Sequence, residues 1–183
     1  MKKWFWRVAG LVVLVAALWW GVTLLFPPTE VVVRRRLQEL AVVASYASNE
    51  APLAQVANAQ NLAAFFTPEV QISLEVPGNA VQTATERDDV FKAAMGARTM
   101  MNSLRIDFYD IVVMVENGNL GAVANLTAKI KVPTDRDYYV QELRFHLRKV
   151  DGKWLIDRVE TVKTLSQAST KPAWIHTAKH WPI

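Results

Sequence analysis

The sequence contains no cysteine among its 183 residues. This absence excludes disulfide bonds and the lipid-modified N-terminal cysteine of a lipoprotein, and it leaves the redox compartment undetermined. The chain also has no internal repeat and no low-complexity linker. About 155 residues follow the apolar N-terminal segment described below, which is enough for one domain with a single core and too few for two ordinary domains.

Acidic residues are missing from the N-terminal segment, where none precedes Glu30. Lys2, Lys3 and Arg7 stand ahead of an uninterrupted apolar run at residues 8–26. As a helix with a rise of 1.5 Å per residue, a run of about nineteen residues is long enough to cross a bilayer. The sequence therefore predicts that residues 8–26 hold the protein in a lipid bilayer.

The end of this run lacks the small residues of a signal-peptide cleavage site, because large side chains at 24–26 lead directly into Pro27-Pro28. We expect an uncleaved signal anchor at residues 1–28. The basic cluster Arg34 to Arg36 competes with the N-terminal cations for the cytoplasmic side. The cationic N-tail favours a cytoplasmic N-terminus, which gives a single-pass protein of the bacterial inner membrane with an extracytoplasmic domain.

The overall charge of +4 depends largely on the three cations before the run, since eighteen basic and seventeen acidic side chains remain without them. Nucleic-acid binding requires a concentrated basic face, and the one basic run is Arg34 to Arg36 beside the predicted membrane. We therefore expect no nucleic-acid partner. The three arginines are expected to open a helix close to anionic headgroups.

Apolar residues at four-and-three spacing predict three helices. The first runs from about Thr29 to Ala47 with Thr29 as its N-cap, and the second runs from Pro52 to about Phe66. The third runs from about Glu86 to Ser103 and is capped by Thr85. Two helices thus precede the first strand.

Alternating polarity predicts five strands, at Glu69–Val76, Arg105–Glu116, Leu120–Val132, Tyr138–Val150 and Trp154–Val162. This order of elements indicates an α+β fold with three helices on one face of a curved, mostly antiparallel sheet. One face of the sheet is expected to be core and the other at least partly wet. In the middle strand the core-facing set is Ala122, Ala124, Leu126, Ala128, Ile130 and Val132.

Four segments resemble a known family: Leu62–Val70 at the helix-to-strand entry, Thr85–Phe91 at the start of the third helix, the Val113–Ala124 hairpin, and Phe145–Ile156. In this order and spacing they are similar to nuclear transport factor 2-like domains of the cystatin-like α+β cone superfamily. The resemblance implies a cone-shaped sheet wrapped on a long helix, often with a pocket, and often a dimer through the open sheet face. It implies little about chemistry.

An enzyme of this fold would need a carboxylate or histidine inside the cone and a donor opposite it. Asp110 shares strand parity with inward residues, and Tyr46 and Tyr109 are possible donors, so these three are the pocket candidates. The competing interpretation is that Asp110 marks a β-bulge and that Tyr46 lies at a helix edge. We assign no catalytic residue and expect no cofactor.

The histidines do not indicate a metal site. His146 has the parity of the outer sheet face, where it is expected to be a surface or interface side chain. His176 and His180 have i, i+4 spacing, but no cysteine exists in the chain and no glutamate lies between them.

The domain is expected to span residues 29–165, followed by a C-terminal tail at residues 166–183. Trp174 and Trp181 place large apolar groups in this tail, and such groups usually need a surface to cover. The tail either folds back over its own domain or docks on a partner.

Two hypotheses about function follow. The first is a membrane-anchored, non-catalytic interaction or scaffold module, assembling with itself or with other envelope proteins. The alternative is a small-ligand-binding or lyase/isomerase-like domain that uses the cone pocket.

Overall fold

The computed structural model describes residues 28–75, 81–116, 118–132 and 138–167. The described chain is an α+β domain in which helices pack on one face of a six-stranded sheet. The elements in chain order are α1 (Thr29–Ala44), α2 (Pro52–Ala63), β1 (Phe66–Leu74), β2 (Gln82–Ala84), α3 (Arg87–Met100), β3 (Arg105–Val115), β4 (Gly121–Lys131), β5 (Tyr138–Val150) and β6 (Lys153–Gln167).

The strand order across the sheet is β2-β1-β6-β5-β4-β3. β1 and β6 pair in parallel, and every other neighbouring pair is antiparallel. The predicted bounds of β5 are confirmed, and the other long strands differ from prediction at their ends. The short strand β2 was not predicted.

The beginning and end of α1 differ from the prediction. Pro28 occupies the N-cap position and Thr29 is the first helical residue, so Thr29 makes no capping bond. The helix ends at Ala44 because Ser45 turns to extended backbone, where its hydroxyl donates to the Ala41 carbonyl (2.7 Å). The same hydroxyl accepts the Ile106 amide at 2.9 Å, which ties the end of α1 to β3.

The predicted continuation of α2 to Phe66 is wrong. The helix stops at Ala63, and Phe66 is the first residue of β1. Two contacts hold the chain in strand geometry here: the Ile156 amide donates to the Phe65 carbonyl (2.9 Å), and the guanidinium of Arg87 donates to the Phe66 carbonyl (2.9 Å). Pairing with β6 therefore overrides the helical spacing of Phe66.

α3 is shorter than predicted at both ends. Glu86, and not Thr85, is the N-cap residue. The backbone amide of Thr85 instead donates to the Asp89 carboxylate (3.3 Å), an acceptor that the first turn of the helix supplies. The helix ends at Met100 because Met101 adopts extended backbone, ahead of the pairing of Leu104 with Tyr46.

The two faces of the sheet follow the predicted alternation. The inner face, which packs against the helices, includes buried Ala122, Ala124, Leu126 and Ala128 of β4 opposite Leu147, Phe145, Leu143 and Gln141 of β5. Val33, Leu37 and Leu40 of α1 belong to the same apolar cluster. The outer face presents Val123, Asn125 and Thr127 opposite His146, Arg144 and Glu142.

Within the described ranges no helix combines the length and the apolar character that crossing a bilayer requires. The apolar run at residues 8–26 lies outside these ranges. The predicted tail, with His176, His180, Trp174 and Trp181, lies outside them also, apart from the backbone of residues 166 and 167 in β6.

Candidate functional site

Asp110 lies at a bulge in β3, as the competing interpretation predicts. The pairing of β3 with β4 shifts register between Tyr109 and Val112, and Asp110 adopts a left-handed φ of 51°. The extra residue lets buried Ile111 take the inward position that strand parity had given to Asp110. The Asp110 side chain is exposed, and it lines a shallow outer-face depression with Asn125, Thr127, Glu142, Arg144 and Val162.

The two candidate tyrosines lie in different places. Tyr109 is half exposed on the outer face, opposite Thr127. Tyr46 donates its hydroxyl to the Ala97 carbonyl (2.8 Å), and burial raises its pKa above the ordinary value of 10.0. Tyr46 lines a depression that Asp110 does not line. The structure therefore does not assemble Tyr46 and Asp110 into one acid–base pair.

Sequence reasoning missed the polar cluster around Tyr46. The Arg98 guanidinium pairs with the Glu50 carboxylate (3.2 Å), with side chains only 2% and 16% exposed. It also lies over the Tyr46 ring, 4.8 Å from its centroid, and donates to the carbonyls of Ala94 and Val43 (3.3 and 3.4 Å). The sequence spacing could have indicated that Arg98 is buried, because it follows Val90 and Ala94 at i+8 and i+4 on the apolar face of α3.

The contacts of this cluster connect separate segments of the chain. Asn58 donates its amide to the second Glu50 oxygen, so the carboxylate has partners on α2 and α3. The Arg98 guanidinium presents a planar set of N–H donors, and its hydrogen bonds here go to Glu50, Ala94 and Val43 within the domain. The arrangement fastens the α1–α2 connection to α3.

The inner side of the domain is apolar apart from a few polar side chains. In the described part of the chain the buried polar or charged side chains are Thr67, Arg98 and Gln141. Gln141 donates its amide to the Glu75 carbonyl. The rings of Phe108 on β3 and Phe145 on β5 meet across the intervening strand β4, with centroids 5.8 Å apart. Side chains of the helices and the sheet form one hydrophobic cluster here.

The outer face carries a cross-strand network of charges. The Arg144 guanidinium pairs with Glu160 of β6 (3.2 Å) and donates to the Asn125 side chain of β4 (3.0 Å). His146 lies 3.9 Å from the same Glu160 carboxylate, on the face predicted for it. The Arg144 and Glu160 side chains are partly exposed, so their ion pair contributes little to stability and remains accessible to a partner.

Apolar side chains are exposed beside this network. Tyr109, Val112 and Met114 of β3, which we call the outer apolar strip, are 49%, 57% and 53% exposed. All three lie on the outer face, because they pair with Thr127, Asn125 and Val123 of β4. Within the described residues no group of three or more His, Asp or Glu side chains is arranged to hold a metal ion.

No protein-family model matches the chain, and no curated protein matches it. Solved structures do match. Aln2 from a Streptomyces species is 15% identical with a TM-score of 0.56, covering 74% of this chain and 90% of that one. A nuclear transport factor 2-like protein of unknown function from Pseudomonas putida is 8% identical with a TM-score of 0.55, covering 72% of this chain and 84% of that one.

A nuclear transport factor 2-like protein with a cystatin-like fold from Novosphingobium aromaticivorans is 19% identical with a TM-score of 0.50, covering 70% of this chain and 79% of that one. The chain has a nuclear transport factor 2-like fold. The fold expected from the four resembling segments is thereby confirmed, and the pocket and the dimer that the resemblance implies stay predictions. At these identities the likeness establishes the fold and carries no activity with it.

Proposed function

We propose that this protein is a membrane-anchored, non-catalytic interaction module whose nuclear transport factor 2-like domain assembles on the extracytoplasmic side of a bacterial inner membrane. The apolar run at residues 8–26 supplies the anchor. The domain follows with almost no linker, since α1 begins three residues after Phe26. A domain held this close to the bilayer meets its partners in two dimensions, where modest contacts suffice for assembly.

The observation that carries the proposal is the outer apolar strip. Three large apolar side chains on one strand, each about half exposed, form a surface that a partner can cover. The adjoining charge network provides the polar rim typical of protein interfaces.

The partner that this face fits best is a second copy of the chain. The outer face carries both signs of charge, with Arg144 and Arg158 beside Glu142 and Glu160. A face with mixed charge can meet itself across a twofold axis with each cation near an anion. We therefore place the homodimer ahead of a complex with other envelope proteins.

The test is the oligomeric state of the detergent-solubilised full chain, measured by size exclusion with light scattering. A dimer is expected, and Met114→Lys should convert it to a monomer because a charge would be buried in the interface. Val42→Lys is the matched control, since Val42 is exposed on α1 and away from the sheet. A monomeric parent that retains a small molecule through purification would contradict the proposal and favour the pocket alternative.

Anchoring is tested separately by alkaline extraction of membranes. The full chain should stay in the membrane pellet, and protease added to the extracytoplasmic side should cut within the domain. Release of the chain into the supernatant would overturn the anchor. Protection of the domain from external protease would overturn the orientation.

A further inference from the structure

The domain has a groove at the end from which the predicted anchor departs. The groove lies between the first three turns of α1 and the tip of the β5–β6 hairpin, with a volume of about 610 Å³. Val31, Val32, Arg35 and Arg36 line it on the helix side. Gly152, Lys153 and Trp154 line it on the hairpin side.

The groove is basic at its rim and apolar in its floor. Arg35 and Lys153 are exposed cations on opposite walls, and Trp154 lies buried beneath them. Arg36 is held in place by the Phe65 ring, with its guanidinium carbon 3.7 Å from the ring centroid. The acid in the lining is Glu39, which pairs with Arg35 and Arg36 at 3.3 and 3.5 Å, so the lining keeps a net positive charge.

The position of the groove brings it to the membrane. Thr29 lies three residues after Phe26, and a chain of that length reaches at most about 11 Å. The first turn of α1 must therefore stay near the interface that the apolar run enters. Exposed Val31 lies one helical turn before Arg35, so an apolar group faces the same side as the cation.

We propose that this groove binds the headgroup of an anionic phospholipid from the leaflet out of which the chain emerges. The phosphate lies between Arg35 and Lys153, and the glycerol and upper acyl carbons contact Val31 and Trp154. A phosphodiester matches the guanidinium and ammonium donors, and the apolar floor matches the remainder of the lipid. This inference rests on the membrane anchor of the proposed function, and it fixes how the domain stands on the bilayer.

The experiment reconstitutes the full chain in nanodiscs of phosphatidylcholine alone or of phosphatidylcholine with phosphatidylglycerol. Hydrogen–deuterium exchange is followed at residues 149–154, and the lipids retained after partial delipidation are quantified. Phosphatidylglycerol should slow exchange at the hairpin and should be enriched over phosphatidylcholine among retained lipids. The double variant Arg35→Gln/Lys153→Gln should reduce that enrichment by roughly fivefold for each cation removed.

The matched control is Arg105→Gln/Lys131→Gln, which removes one arginine and one lysine where β3 begins and β4 ends. These two residues pair with each other at the far end of the sheet from the β5–β6 hairpin. The control should retain the parental enrichment. Equal exchange in the two nanodiscs, or an equal loss in both double variants, would overturn the inference.

Two further outcomes separate the possible causes of failure. If inorganic phosphate slows exchange at residues 149–154 in phosphatidylcholine nanodiscs, the site takes free phosphate and the lipid assignment is wrong. If the chain enters neither nanodisc, the membrane anchor itself is wrong. If the chain enters both without discriminating between them, the anchor stands and only the headgroup site fails.

Discussion

Successive residues of β4 and β5 point alternately to the inner and the outer face of the sheet, and the two faces differ in polarity. On the inner face Ala124 and Phe145 lie opposite each other and are buried in the apolar cluster. One position along, Asn125 and Arg144 lie opposite each other on the outer face and join a charge network that water reaches. The comparison separates two tasks: the inner face stabilises the fold, and the outer face is the surface that we propose binds a second copy of the chain.

The largest expected effect on stability comes from substituting an inner-face residue of β5, compared with its outer-face neighbour. Phe145→Ala should lower the free energy of unfolding by about 3–5 kcal/mol, because it leaves a cavity against Phe108. Its neighbour Arg144 loses only partly exposed polar contacts, so Arg144→Ala should change stability by about 1 kcal/mol or less. Thermal and denaturant unfolding of the solubilised full chain measure both. Similar losses for the two variants would contradict the division of the faces.

The next largest effect on stability concerns the buried ion pair between Glu50 and Arg98. Glu50→Ala should cost about 3 kcal/mol, because it leaves the Arg98 guanidinium buried without its carboxylate. Adding Arg98→Met should recover much of that loss, since the stranded cation is then gone. A double variant no more stable than Glu50→Ala, measured by the same unfolding curves, would mean that the ion pair is not what fastens α3.

Thr67 is a polar residue in the apolar interior, and replacing it should stabilise the protein. Its hydroxyl is fully buried and has no hydrogen-bond partner among the described residues. Thr67→Val keeps the shape and removes the unsatisfied group, so it should raise stability by about 1 kcal/mol. Thr161→Val is the control: the Thr161 hydroxyl accepts the Glu75 amide (3.1 Å), and its loss should destabilise. A destabilised Thr67→Val would show that the hydroxyl is satisfied in solution.

The smallest effect concerns pH. Burial raises the pKa of Tyr46 in the folded state, so folding favours the neutral phenol. This contribution is complete below the unfolded pKa near 10 and is lost as pH rises through the folded pKa. Between the parent and Tyr46→Phe, the difference in unfolding free energy should shrink above about pH 10. A difference that stays constant from pH 8 to pH 11 would contradict the burial of Tyr46.

Much of this sheet follows from residue alternation. The inward set of β4 and the bounds of β5 were predictable because one face is buried, and a shift by one residue would turn every apolar side chain outward. Asp110 was ambiguous because sequence shows parity but not the bulge that resets it. Its left-handed backbone is a property of the pairing between β3 and β4.

The rest depended on contacts between distant parts of the chain. Thr29 and Thr85 are good capping residues, yet the backbone places Pro28 and Glu86 at the caps. The ends of α1 and α2 were set by pairing with β3 and β6, which local spacing does not encode. Arg98 was overlooked because a charged residue on an apolar stripe is expected to point to solvent, whereas Glu50 brings it inside. The outer apolar strip was missed because Val112 and Met114 reach the outer face only through the register shift at Asp110, whereas simple alternation places them inside.

The central claim, that the outer face is the surface through which copies of the chain meet, is tested most directly by crosslinking. The chain has no cysteine, so Val112→Cys introduces a unique thiol at the strip, and Val42→Cys places a matched thiol on α1, where the valine is 74% exposed. Each variant is treated in membranes with a short bis-maleimide. The account predicts a covalent dimer for Val112→Cys and little or none for Val42→Cys. Equal crosslinking of the two variants, or none at Val112→Cys, would contradict it.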